Sequence, residues 1–139
     1  MEIQYGSHIS AADYNRLRKS VGWSEISLRQ AQTGLNNTAF QVVALAGNTP
    51  VGMARVIRDG GYVVLISDVV VNPEYQGYGI GRTMMNRILD YLRAGMEPGD
   101  KILVNLLAAK DKEPFYLPFG FEQRPNREYG AGMSQWIVK

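Results

Sequence analysis

A mixed α/β fold is predicted, with a largely antiparallel central sheet, one parallel strand pair inside it and helices on both faces; three observations predict it. Between Ala39 and Val71, short apolar segments are separated by turn residues, the pattern of an antiparallel meander. Between Tyr62 and Leu107 the order is strand, glycine loop, helix, strand, and such a crossover makes its two strands parallel. From Gly81 the apolar period changes to that of a helix. Met84, Met85, Ile88, Leu89 and Leu92 share one face and Arg82, Asn86, Arg87, Asp90 and Arg93 the other.

The elements follow in order. Ile3 to Tyr5 reads as a short edge strand, and Ser10 as the N-cap of a helix through about Lys19 with Leu17 and Val21 facing inward. Gly22-Trp23 breaks it. Ser24 or Ser27 then starts a second helix through Gln32, which Gly34 stops. Ala39 to Ala46 and Val51 to Arg58 are strands joined by the turn Gly47 to Pro50, and Asp59-Gly60-Gly61 turns the chain into a third. That third strand, Tyr62 to Val71, is almost wholly apolar, as expected of a strand buried on both faces. Asn72-Pro73 ends it, because Pro73 has no N–H to donate and biases Asn72 away from helix. After the amphipathic helix, Pro98-Gly99-Asp100 returns the chain to the strand Lys101 to Leu107. A short helix near Glu113 to Leu117, ended early by Pro118, is followed by strands near Phe121 to Arg124 and Met133 to Val138.

A chain of 139 residues is read as one domain, 1–139, large enough to bury its own core. The net charge of +2 has both signs interspersed and leaves no basic stripe, which argues against nucleic acid as a partner. With no cysteine there is no disulfide and no thiolate nucleophile, and the single histidine, His8, leaves little for metal chemistry, so no metal is expected. The first residues carry no basic and apolar leader, and no stretch has the length of a membrane span, so a cytoplasmic protein without membrane association is expected.

Gly77, Gly79 and Gly81 alternate between strand and helix, where backbone N–H groups and the positive end of the helix dipole suit a phosphate or pyrophosphate. A Walker A loop would need glycine at Gln76 and lysine at Arg82, and the dinucleotide pattern would need its third glycine at Arg82. Both fail. The loop instead resembles the acetyl-CoA loop of the GCN5-related N-acetyltransferases, Q/R-x-x-G-x-G/A, through Gln76, Gly79 and Gly81. The resemblance runs upstream through Asn72-Pro73-Glu74-Tyr75 and downstream to Phe115-Tyr116 and Gly120-Phe121, which look like the family's F-Y-x-x-x-G-F segment. It covers roughly residues 40 to 122.

What the resemblance implies is an acyl-CoA N-acyltransferase-like fold and an acetyl-CoA-dependent enzyme moving an acetyl group directly to a primary amine of a small molecule. Acetyl-CoA would be held by the backbone of Val69, Val70 and Val71, where the two parallel strands part, and by Gln76, Gly77, Tyr78, Gly79, Ile80, Gly81 and Arg82. Tyr116, by its motif position, would be the general acid toward the coenzyme sulfur. From the residues alone, Asp68 interrupts the apolar strand, where a buried carboxylate needs a partner or a raised pKa: it is a candidate general base, acting directly or through water, and equally a structural residue that binds a backbone N–H or pairs with an arginine such as Arg55. Glu25 and Glu113 are weaker candidates for the base. The asparagine that the family often carries about seven residues before the tyrosine is replaced by Ala109, with Lys110 and Asp111 following. Trp23, Tyr129 and Met133 are candidates for an acceptor pocket. A non-catalytic acyl-CoA sensor, or a protein amine as acceptor, are the alternatives, and an assembly of two copies is left open.

Overall fold

The computed structural model describes residues 2–139. The chain forms two compact units, the first ending at Leu106 and the second Leu107–Lys139.

The first unit carries a five-stranded sheet in the order β1-β2-β3-β4-β5, built from β1 (Ile3–Gly6), β2 (Phe40–Ala46), β3 (Thr49–Arg58), β4 (Val63–Val71) and β5 (Leu103–Leu106). The first three pairings are antiparallel and β4 with β5 is parallel, as the crossover requires. Helices α1 (Ala11–Ser20) and α2 (Leu28–Asn36) precede β2, and α3 (Ile80–Ala94) joins β4 to β5. Successive strand residues point to opposite faces. Val43, Met53 and Val70 pack with Tyr14, Leu17, Ala31 and Leu35 of α1 and α2. Their neighbours Ala44 and Gly52 look the other way, toward Ile80 of α3. Phe40, on the same face as Ala44, stacks on Tyr91 of α3 with ring centroids 4.1 Å apart.

The caps follow from the side chains. Ser10 accepts from the Asp13 N–H and Ser27 from the Gln30 N–H, each satisfying one orphan donor of a helix start. Gly34 does not stop α2, which continues to Asn36. Buried Ala31 and Leu35 anchor the last turns, and the Gly34 carbonyl is held there by Arg55 and Thr38. The strand expected over Lys101 to Leu107 shortens to Leu103–Leu106.

In the second unit, α4 (Glu113–Tyr116) runs into a 3₁₀ turn, Leu117–Phe119, with Pro118 at the tightening. The strands expected near Phe121 to Arg124 and Met133 to Val138 do not form. Apolar alternation does not make a strand without a ladder partner, and Met133, Trp136, Ile137 and Val138 are exposed.

Candidate functional site

β4 is not a regular strand. Arg55 pairs with Ser67 and Met53 with Val70, so Ala54 stands opposite two residues, Asp68 and Val69. This is a β-bulge, and Asp68 adopts a left-handed backbone with φ 54°. The bulge reverses the alternation of side chains. Ile66 pairs with Val56 and Val70 with Met53, three residues apart on β3, so Ile66 and Val70 lie on opposite faces of the sheet despite their even spacing. The parallel ladder with β5 stops at Ile66 and Leu106, just before the bulge. Among the described residues, no strand pairs with the outer edge of Val69, Val70 and Val71, where the Val71 carbonyl instead accepts from the Gln76 side chain.

The Asp68 carboxylate accepts three hydrogen bonds. Tyr14 donates its hydroxyl at 2.7 Å, Arg55 its Nε at 2.9 Å and Arg18 its Nη1 at 3.1 Å. Arg55 also donates to the Gly34 carbonyl and the Thr38 hydroxyl, and Arg18 to the Ser24 carbonyl. The two guanidinium groups flank the Tyr14 ring, each 5.7 Å from its centroid, and Arg18 lies 5.4 Å from that of Trp23. Burial, and after it the Asp68 charge, raise the Tyr14 phenol above the ordinary tyrosine value. One carboxylate between two guanidinium groups leaves the cluster with an excess positive charge. Sequence reasoning paired Asp68 with Arg55 as one of two options and missed Tyr14 and Arg18. Their only signal is their spacing, four residues apart on the face of α1 that also carries Leu17.

Beyond β4, the Asn72 side chain caps a 3₁₀ turn, Pro73–Tyr75, by accepting from the Glu74 N–H. Gln76 reaches back to the Val71 carbonyl. Gly77 and Gly79 then take positive φ, 85° and 81°, and a Cβ at either would meet no protein atom within 4 Å. That space lies open to a ligand. Gly79 is the N-cap of α3 and has no side chain to cap it, and the first bond of the helix runs from the Thr83 N–H to the Gly79 carbonyl. The N–H groups of Ile80, Gly81 and Arg82 therefore have no acceptor within the helix, and Arg82 is exposed beside them. Tyr78 is exposed and Ile80 buried, so Ile80 offers a ligand its main chain only. Gly81 lies inside the helix, and among the three loop glycines only Gly77 and Gly79 need left-handed freedom.

In the second unit Tyr116 is buried, its ring edge-on to Phe115 and Phe121 with centroids 4.9 and 6.1 Å away. Burial pushes its phenol up to about 12. Ala109 to Lys112 form a turn in which Asp111 has φ 67°, at the place where the family motif often has asparagine. Of the acceptor-pocket candidates, Trp23 is partly buried against the α1 and α2 core, Tyr129 lies under Arg124 at 4.7 Å, and Met133 is exposed. Glu25 pairs with Lys19 at the surface. Among the described residues, no helix is long and apolar enough to cross a membrane.

The model of the acetyltransferase (GNAT) domain matches residues 37–123. An uncharacterized N-acetyltransferase, ycf52, of Pyropia yezoensis is 28% identical over 128 residues, covering 89% of this chain and 71% of that protein. Among solved structures, a protein of unknown function from meticillin-resistant Staphylococcus aureus, described as a probable acetyltransferase, superimposes with a TM-score of 0.85 at 29% identity, covering 96% of this chain and 100% of the other. A GNAT family acetyltransferase from Streptococcus pneumoniae does so with a TM-score of 0.77 at 26% identity, over 99% and 98% of the two chains.

Proposed function

Because the chain belongs to the GNAT family of N-acetyltransferases, we propose that it moves the acetyl group of acetyl-CoA directly onto a primary amine of a small molecule. The observation that carries this reading is the continuity of two features along one stretch of chain. The bulged end of β4 leaves a main-chain edge free, and the loop after it feeds two left-handed glycines into the uncapped N-terminus of α3. A pantetheine arm is an extended amide chain that can pair with a free strand edge, and a pyrophosphate suits a helix N-terminus. The residues fit the co-substrate at both ends.

In this reading the neutral amine attacks the thioester carbonyl carbon, the carbonyl oxygen takes up negative charge, and the C–S bond then breaks. Main-chain N–H groups on the β4 edge would be donors to that oxygen. Tyr116 would give its proton to the departing sulfur, which leaves as the thiol. Its raised phenol is held in the protonated form needed for that step. We assign the amine's proton to water rather than to Asp68. The Asp68 carboxylate already holds three donors, and the two guanidinium groups beside it repel an approaching ammonium.

The test is free-thiol release from acetyl-CoA across a panel of small amines and peptides. Release with one or more small amines, and none without an acceptor, supports the reading. Saturable coenzyme binding with no release across the panel would identify an acyl-CoA sensor instead, and release with peptides alone a protein acetyltransferase.

A further inference from the structure

A left-handed residue in mid-strand is unfavourable for any side chain that cannot bond locally. At Asp68 the ladder gives little support, because Ala54 opposite serves two residues. What holds the conformation comes from outside the strand. Tyr14 and Arg18 reach Asp68 from α1 and Arg55 from β3, while Arg55 is itself fixed by the Gly34 carbonyl of α2 and by Thr38. Asp68, Arg18 and Arg55 are all largely withdrawn from solvent, their side chains 10%, 10% and 11% exposed. Charge-assisted hydrogen bonds are strong in such a setting, and losing one partner leaves the others buried and unpaired.

We propose that Asp68 is a positioning residue for the coenzyme: its three-donor clamp holds the bulge in the left-handed form, and the bulge keeps the backbone edge of Val69 to Val71 off the β5 ladder and open to the pantetheine arm. This rests on the acetyl-CoA reading above. It ties the coenzyme site to residues that never touch the coenzyme, Tyr14, Arg18 and Arg55, through the backbone geometry of one residue. It also separates Asp68 from a base. A base acts on the acceptor and leaves coenzyme affinity alone, whereas a clamp acts on the coenzyme and leaves the pH dependence of transfer alone.

Two variants attack the clamp from its two sides. Asp68→Gly permits the left-handed backbone without strain but removes the carboxylate that holds it, and Arg55→Gln keeps Asp68 but removes a cation. Amide hydrogen exchange on the full chain without ligand reads the bulge directly. Those amides of residues 67 to 71 that bond to β3 should exchange at least about ten-fold faster in both variants, with the central amides of α3 unchanged. Calorimetry with coenzyme A should show Kd raised about ten-fold in each, with the double variant no worse than the single ones. Asp68→Asn, which tolerates the left-handed form and keeps one acceptor oxygen, should fall between these variants and wild type and retain the acidic limb of kcat/KM.

Unchanged exchange at residues 67 to 71 would overturn the proposal. So would unchanged coenzyme affinity combined with loss of the acidic limb in Asp68→Asn, which would make Asp68 the base. A lower Tm with unchanged affinity and pH profile would overturn it too, reducing the cluster to packing. A wild-type chain that fails to bind coenzyme A would overturn both this and the acetyl-CoA reading, and the ligand-free exchange would still show whether the clamp holds the bulge.

Discussion

The Gln76 side chain donates from Nε2 to the Val71 carbonyl at 2.9 Å, so the first residue of the glycine loop is fastened to the last residue of β4. Together with the Asn72 cap and the backbone bonds of the Pro73–Tyr75 turn, this bond ties the loop to the strand edge on which the coenzyme reading depends. Gln76→Ala removes it from an exposed position, where such a bond contributes about 1 kcal/mol, and coenzyme A affinity should fall a few-fold. Gln76→Glu sets a carboxylate against the carbonyl and a negative charge beside the phosphate site. Calorimetry should show a larger loss than for alanine, and one that shrinks with added salt. Equal effects of the two substitutions would show that Gln76 has no part in orienting the loop.

Gly79 and Gly60 make a matched pair. Both have positive φ, 81° and 96°, and a Cβ at either would meet no protein atom within 4 Å. Alanine at each should therefore cost a similar about 1–2 kcal/mol of stability from the left-handed backbone alone. Only Gly79→Ala should also weaken coenzyme A, with Gly79→Val worse, because the open space beside it is where a phosphate would lie. Urea unfolding and calorimetry on both variants decide it. Coenzyme affinity that falls equally at Gly60, or at neither, contradicts the loop assignment.

Tyr116→Phe keeps the ring and its edge contacts with Phe115 and Phe121. A donor to the leaving sulfur stabilises charge absent from the ground state, so kcat should fall on the order of 10²-fold while coenzyme Kd stays within a few-fold of wild type. The loss should shrink with a donor whose thiol is more acidic. With the phenol pushed up to about 12, no basic limb of the rate profile in the neutral range belongs to Tyr116. Full kcat with acyl transfer rate-limiting would make Tyr116 a packing residue.

Stability should fall in alkali, and the sign follows from two phenols. Tyr116 is raised to about 12 by burial and Tyr14 is raised by burial and then by the Asp68 charge. The unfolded chain releases these protons near pH 10, before the folded chain does. Their contribution is thus fully present below about pH 10 and is lost as the pH climbs from there toward 12. Urea unfolding at stepped pH should show that decline, and the double variant Tyr14→Phe and Tyr116→Phe should flatten it. A decline of unchanged slope in the double variant would assign it to other groups.

The antiparallel meander and the parallel pair were legible because turn residues and the change of apolar period are local signals that mark element boundaries. The glycine loop was legible for the same reason. The bulge was not, since Val69, Val70 and Val71 read as a uniform strand and the extra residue shows only in the register with Met53 and Arg55. Nor were the partners of Asp68 complete: Arg18 lies fifty residues away in sequence and reads as an ordinary charged residue of an amphipathic helix. Gly34 reads as a helix stop until Arg55 and Thr38, from outside the helix, are seen to hold its carbonyl. Met133 to Val138 show the converse, a strand pattern without a partner.

Direct acetyl transfer to a small amine can be followed with an isotopically labelled acetyl group, traced from acetyl-CoA by mass spectrometry in the presence of the amine panel. The label is expected in the amide of at least one small amine, in amounts equal to the free thiol released. Label that remains wholly in the thioester, or appears only as free acetate, would contradict it.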